Sequence, residues 1–240
     1  MTKQPSHPSQ ETRPLVIAGI PCFNTNHSIK DIVSRARKYV DQVVVIDDGS
    51  SDGTAEAARA VDALVVSHDQ NMGYGEALRS CFEAARANAA DVLVIFDGDG
   101  QHNPDEIPRL LAPILRGEAD LIIGSRFLTN EHNMPRYRRF GIKVITFLWN
   151  FGSKVKVSDS QSGFRAYRRE IFESFPLSEK RMSISIETIE KARRKGTIIK
   201  EVPISCSYFS SGINSKAIRH GLAVALGVIK IRLRSLLGTN

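Results

Sequence analysis

Five short apolar runs, each ended by a polar loop, constrain the fold of this chain. They are Leu15–Ile20, Val43–Ile46, Leu64–Ser67, Val92–Phe96 and Leu121–Gly124. Such runs read as strands buried on both faces of a sheet. The segments between them carry apolar residues at helical spacing. In the first, Ile29, Ile32, Val33, Ala36 and Val40 share one face and predict a helix over about 28–39. Helices are expected likewise at about 54–60, 74–89 and 105–115. Strand–loop–helix units with short connections imply a mostly parallel central sheet with helices on both sides, a three-layer α/β/α architecture. The second half is less regular. It predicts helices near 139–151 and 184–195, and a strand from about Ile198 that stops at Pro203.

The strand ends carry the chemistry. Asp97-Gly98-Asp99 follows directly on Val92–Phe96, so two carboxylates emerge one residue apart at the carboxyl end of a strand. Ligands of open α/β sheets bind at that edge. Like charges so close repel unless a cation or proton lies between them, and carboxylate oxygens suit Mg²⁺ or Mn²⁺. Val43–Ile46 ends in Asp47-Asp48-Gly49-Ser50-Ser51-Asp52-Gly53-Thr54; one helix cap needs one carboxylate, and this loop has three. Leu15–Ile20 leads into Pro21-Cys22-Phe23-Asn24, so three polar loops can converge on one cleft. A dinucleotide-binding reading needs Gly-x-Gly-x-x-Gly after the first strand. The chain has Pro21-Cys22-Phe23 there, and its single Gly-x-Gly, Gly73-Tyr74-Gly75, follows the third strand.

Taken in order, Pro21-x-x-Asn24, the loop Asp47 to Thr54, Asn71-x-Gly73-x-Gly75-x-Ala77-Leu78, Asp97-x-Asp99-x-Gln101-His102-x-Pro104 and Gly124-Ser125-Arg126 resemble an inverting family 2 glycosyltransferase of the Rossmann-like GT-A fold. Ser162-Gly163-Phe164-Arg165, with Asp159 before it, resembles the polyprenyl-phosphate group of that family, the group of dolichyl-phosphate mannose synthase. The match runs from about residue 14 to about 220. One departure is Thr25, where the family usually has Glu.

The resemblance implies a nucleoside diphosphate sugar donor, GDP- or UDP-linked, held by Pro21, Asn24, Asp47, Asp48, Asn71, Gly73, Asp97, Gly98 and Asp99. It implies a Mg²⁺ or Mn²⁺ ion on Asp97, Asp99 and Gln101. His102 is either a phosphate contact or a loop packer; Ser50 and Asp52 fit a turn-stabilising role. The acceptor would be a polyprenyl phosphate bound by Arg126, Arg138, Arg165 and, near the end of the chain, Lys216. Arginine forks bind phosphate bidentately. Asp99, Arg126 and Arg165 would act at the reacting groups. Alternatives are a family 2 transferase with a soluble or polysaccharide acceptor, and a non-enzymatic nucleotide-sugar module; the intact carboxylate pair disfavours the last.

Charge separates the halves. Residues 1–125 hold 11 basic and 18 acidic residues, and residues 126–240 hold 22 and 8. The second half is therefore expected to face an anionic partner. No nucleic-acid-binding module is recognisable, and aromatic residues are only 7%, so a membrane surface with a phosphate-bearing lipid is the better candidate. Residues 1–13 read as a disordered lead, 14–215 as the transferase domain and 216–240 as an amphipathic basic helix. In that helix Leu222, Leu226, Ile229, Leu233 and Leu236 line one face. It would rest on a membrane, pack on the domain or mediate a homo-oligomer. Ile142–Phe151, with Phe147, Leu148 and Trp149, is a second candidate for lipid contact. Three widely spaced cysteines form no disulfide or metal pattern, and no stretch reaches 18 apolar residues. The expected location is cytoplasmic, peripheral at the inner face of a membrane.

Overall fold

The computed structural model describes residues 13–129, 134–153, 155–175, 177 and 183–208. The expected lead, Lys216 and the C-terminal helix lie outside the described residues. In chain order the elements are β1 (Val16–Cys22), α1 (Asn26–Ala36), β2 (Gln42–Asp47), α2 (Thr54–Arg59), β3 (Leu64–Ser67), α3 (Tyr74–Ala87) and β4 (Val92–Ile95). A 3₁₀ turn at Pro104–Glu106 leads into α4 (Ile107–Leu115), followed by β5 (Leu121–Ser125) and α5 (Arg136–Asn150). The chain then forms β6 (Arg165–Arg168), α6 (Arg169–Ser174), α7 (Ser183–Arg194) and β7 (Ile199–Pro203).

Seven strands form one sheet in the order β3-β2-β1-β4-β6-β5-β7. Pairing is parallel except on either side of β6, which runs antiparallel to β4 and to β5. Strand alternation sends successive side chains to two cores, one on each face. Ile17, Val44, Ile46, Leu93 and Ile95 pack with Leu78 and Phe82 of α3, Trp149 of α5, Phe172 of α6 and Ile186 of α7. Ala18, Ile20, Val43, Val45 and Val94 pack with Ile29 and Val33 of α1, Ala58 of α2 and Leu110 of α4. The architecture is the three-layer, mostly parallel one expected.

Three details depart from the sequence reading. Leu64–Ser67 is not buried: β3 is an edge strand, with Leu64 43% and Val66 37% exposed. β1 runs two residues past Ile20 and takes in Pro21. The Pro21 carbonyl accepts from the amide of Gly98 (3.2 Å), so its ring nitrogen faces the same side, where β4 has already ended at Ile95 and no ladder donor is needed. Finally, β6 and α6 were not foreseen. Arg-Ala-Tyr-Arg has no apolar run to announce a strand, yet Arg165, Ala166 and Tyr167 are all buried in the sheet.

Candidate active site

From β1 the chain moves outward to β2 and β3, then returns to β4 on the opposite side of β1. The carboxyl ends of β1 and β4 thus flank a topological switch point, where such sheets bind ligands. The loops after β1, β2 and β4 meet there.

The first two loops are tied together by backbone donors. The Asn24 amide donates to Ser50 Oγ (2.8 Å), and Asn24 Oδ1 accepts from the Ser51 amide (3.0 Å). The Asn26 amide donates to Asp52, which also accepts from the Thr54 amide. Thr25 is buried below, its amide on Thr54 Oγ1 (2.8 Å). Ser50 and Asp52 are therefore turn-holding residues. Asp47 is buried and accepts from the Ser50 amide (3.2 Å).

Asp48 differs from its expected role as a donor contact. Its carboxylate is buried and already accepts from the amides of Met72 (2.9 Å) and Gly73 (2.8 Å), while Oδ1 lies 2.7 Å from His68 Nδ1. His68 Nε2 lies 2.9 Å from Ser80 Oγ on α3. Asp48 thus fastens the loop before α3 rather than facing the cleft. Gly49, at φ +73°, lets that loop close in: a Cβ there would lie 2.5 Å from the Gln70 carbonyl carbon. Gly73 takes φ +90° at the start of α3, and exposed Asn71 stands at the loop's surface. His68 has no sequence signature and went unforeseen. Replacing it with alanine leaves Asp48 and Ser80 short of a buried partner, an expected loss of about 1–3 kcal/mol. The donor KM should rise with kcat little changed, and His68→Gln should restore part of the effect. Steady-state kinetics beside thermal melts check this; an unchanged donor KM separates the loop from the donor pocket.

Asp97 and Asp99 stand at the end of β4, with Gly98 between them buried against Cys22; a Cβ there would lie 2.8 Å from Cys22 Cβ. Asp99 accepts from the Gln101 amide (2.9 Å) through Oδ1 and from Gln101 Nε2 (2.6 Å) through Oδ2, which leaves the Gln101 side-chain oxygen for other partners. Asp97 lies against Gly163, where a Cβ would sit 2.9 Å from a carboxylate oxygen. Gly163 thus makes room for Asp97. Burial first, then the charge of Asp99, pushes Asp97 up to about 7, against the opposing pull of Arg126 and Arg165. A carboxylate raised in this way, with a second one beside it, is short of positive charge. Its hard oxygen donors fit Mg²⁺ or Mn²⁺. No cluster of three or more His, Cys, Asp or Glu side chains occurs among the described residues, so Gln101, substrate and solvent would complete the shell.

The basic side of the site divides in two. Arg126 forks onto Asp159 through Nε (2.7 Å) and Nη2 (2.8 Å), and Asp159 is fully buried. Two of its five N–H groups are engaged there, and Arg126 lines a cleft with Phe127, Arg139, Ser205 and Tyr208. The exposed Arg138 stacks over the Tyr208 ring at 5.3 Å. Arg165 is a correction. It is 1% exposed, and its guanidinium donates to the carbonyls of Ser162 (2.9 Å), Ser185 (2.6 Å) and Ser160 (2.9 Å). With three carbonyls held, it braces the loop behind Asp97 rather than offering a fork to an acceptor. His102 is a packer: it is buried against Phe164 (5.4 Å), and burial drives its pKa down to about 3, keeping the ring neutral.

An α/β sheet with a carboxylate pair at its switch point and an arginine-lined cleft beside it presents an enzyme-like crevice at the carboxyl edge of the sheet. The glycosyl transferase family 2 model matches residues 18–175, and the chain belongs to that family. It is a glycosyltransferase. It is 34% identical over 220 residues to the polyprenol monophosphomannose synthase of Mycolicibacterium smegmatis, covering 86% of this chain and 81% of that one. It is 29% identical over 216 residues to the UDP-N-acetylglucosamine–dolichyl-phosphate N-acetylglucosaminyltransferase of Methanococcus voltae, covering 81% and 86%. In fold it is similar to glucosyl-3-phosphoglycerate synthase of Mycobacterium tuberculosis, solved with Mn²⁺, uridine diphosphate and phosphoglyceric acid, with a TM-score of 0.73 and 22% identity over 95% of this chain and 80% of that one. The fold is of the GT-A type.

Proposed function

We propose that this enzyme moves a hexose from a GDP- or UDP-linked sugar to a polyprenyl phosphate, with inversion at the anomeric carbon, at the cytoplasmic face of a membrane. The observation that carries the reading is the adjacency of Asp97 and Asp99, a carboxylate pair that calls for a cation, and the Arg126 cleft, which suits a phosphate. The two relatives above are named for lipid-phosphate acceptors.

Asp97, Asp99 and Gln101 would hold Mg²⁺ or Mn²⁺, which would offset the charge on the departing diphosphate. Pro21, Asn24, Asp47, Asn71, Gly73 and Gly98 frame the donor, with Asp48 behind them. Arg126, steadied by Asp159, and Arg138 meet the acceptor phosphate; Lys216 is a further candidate. A phosphate oxygen attacks the anomeric carbon from the face opposite the leaving group. The new C–O bond forms as the bond to the diphosphate breaks, and the nucleoside diphosphate leaves with the electron pair. The attacking oxygen is already anionic, so no general base is required of the chain.

A second reading, a soluble phosphorylated acceptor, is favoured by the phosphoglyceric acid bound to the structural neighbour. One screen tests both: labelled GDP- and UDP-sugars against dolichyl phosphate, undecaprenyl phosphate and 3-phosphoglycerate. Transfer to a lipid phosphate alone supports the first reading. Transfer to 3-phosphoglycerate alone replaces it with the second.

A further inference from the structure

The outer face of α5 is apolar where a solvated helix would be polar. Phe140 is 70% exposed, Val144 39%, Phe147 66% and Phe151, just past the helix end, 74%. Their spacing of four, three and four residues puts them on one face. The opposite face, Ile142, Ile145, Thr146 and Trp149, is buried in the domain. This corrects the lipid-contact expectation: Trp149 is fully buried, and Phe140 and Val144 join Phe147 in its place. Scattered apolar residues on a surface need no explanation, but two phenylalanines and a valine on one helix, with a third phenylalanine just past its end, do.

Charge decides what covers this face. The helix carries Arg136, Arg138, Arg139 and Lys143 and no carboxylate. Arg136, Arg138 and Lys143 are exposed, as is Lys156 beyond the helix end. A second copy docked face to face by two-fold symmetry would set these cations against their own equivalents. An anionic bilayer offers apolar depth for the phenylalanines and negative headgroups for the bases around them. The helix also begins beside the cleft, whose lining includes Arg126, Arg139 and Tyr208. A lipid entering along α5 would present its phosphate to that cleft.

We propose that Phe140, Val144 and Phe147 on α5, with Phe151 just past its end, ringed by Arg136, Arg138 and Lys143, form the surface that docks this protein on an anionic membrane. The purpose of the docking rests on the lipid-phosphate reading of the acceptor; its physical basis does not. The test is flotation of the full chain with phosphatidylcholine vesicles, with and without phosphatidylglycerol, at low and high salt. The full chain should float with the anionic vesicles and be only partly released by salt, because the apolar part of the binding is not screened. Phe140→Ser/Phe147→Ser/Phe151→Ser should bind at least about tenfold more weakly, with an unchanged melting temperature, since these side chains are exposed. Flotation of the triple variant equal to that of the parent overturns the proposal, as does failure of the parent to float. A change from dimer to monomer on substitution, read by light scattering, also overturns it and assigns the face to a second copy. Turnover is read separately with a short-chain, water-soluble polyprenyl phosphate and with a long-chain one in vesicles. The triple variant should keep the first and lose most of the second. If the parent uses neither acceptor, the acceptor reading fails while flotation still decides the docking face.

Discussion

Asp97→Asn and Asp99→Asn are each expected to lower transfer by at least about a thousandfold, roughly 4 kcal/mol of transition-state stabilisation, in a protein that remains folded. Both carboxylates sit at the end of β4 in the switch-point crevice, and removing either takes away a proposed metal ligand together with its charge. The wild-type enzyme should stop in EDTA and recover with Mg²⁺ or Mn²⁺. Near-normal turnover of either purified variant in saturating metal would remove the pair from the chemistry. The pH dependence gives an independent check. Asp97 is raised in the folded protein to about 7 from its ordinary value near 4. Between those values the folded state holds a proton that the unfolded state has released. Without metal, stability from this group is therefore present at low pH and falls as pH rises toward 7. Metal binding needs the ionised form, so the metal-induced rise in melting temperature should grow over the same interval. In Asp97→Asn the metal-free slope from this group should vanish. An unchanged slope would mean that another group titrates there.

Arg165→Ala is expected to act on stability first. The guanidinium serves three buried carbonyls, and each left without a donor costs about 1–3 kcal/mol. A loss of at least about 3 kcal/mol follows, or a fall of about 6–12 °C in melting temperature for a chain of this size. Arg165 also lowers the pKa of Asp97, so its loss should push that carboxyl up further. Lysine cannot fork to three carbonyls, and Arg165→Lys should recover little. A direct acceptor contact would behave differently: the melting temperature would hold and only the acceptor KM would rise. That pattern would return Arg165 to the acceptor site. Arg126→Ala gives a contrast, because it strands Asp159, fully buried and paired to it, and breaking such a pair typically costs about 3–5 kcal/mol.

The layered fold and the place of the chemistry are legible in the hydrophobic pattern and the residues that end its runs. Hydrophobic runs long enough only for strands, alternating with helical stripes, leave few other ways to bury both faces of a sheet. Carboxylates at the ends of Val43–Ile46 and Val92–Phe96 must then emerge along one edge, whatever the strand order. What each polar group faces came only with the folded chain, because partners distant in sequence cannot be read from local pattern. Folding turned Asp48 toward Met72, Gly73 and His68, and set Arg165 among three carbonyls in a strand with no apolar signature. It also chose the inner face of α5: Trp149 went to the core, in one cluster with residues of β5, α3 and α7, while Phe147 is 66% exposed. Periodicity fixes which residues share a face of a helix; only packing against the rest of the chain decides which face is turned inward.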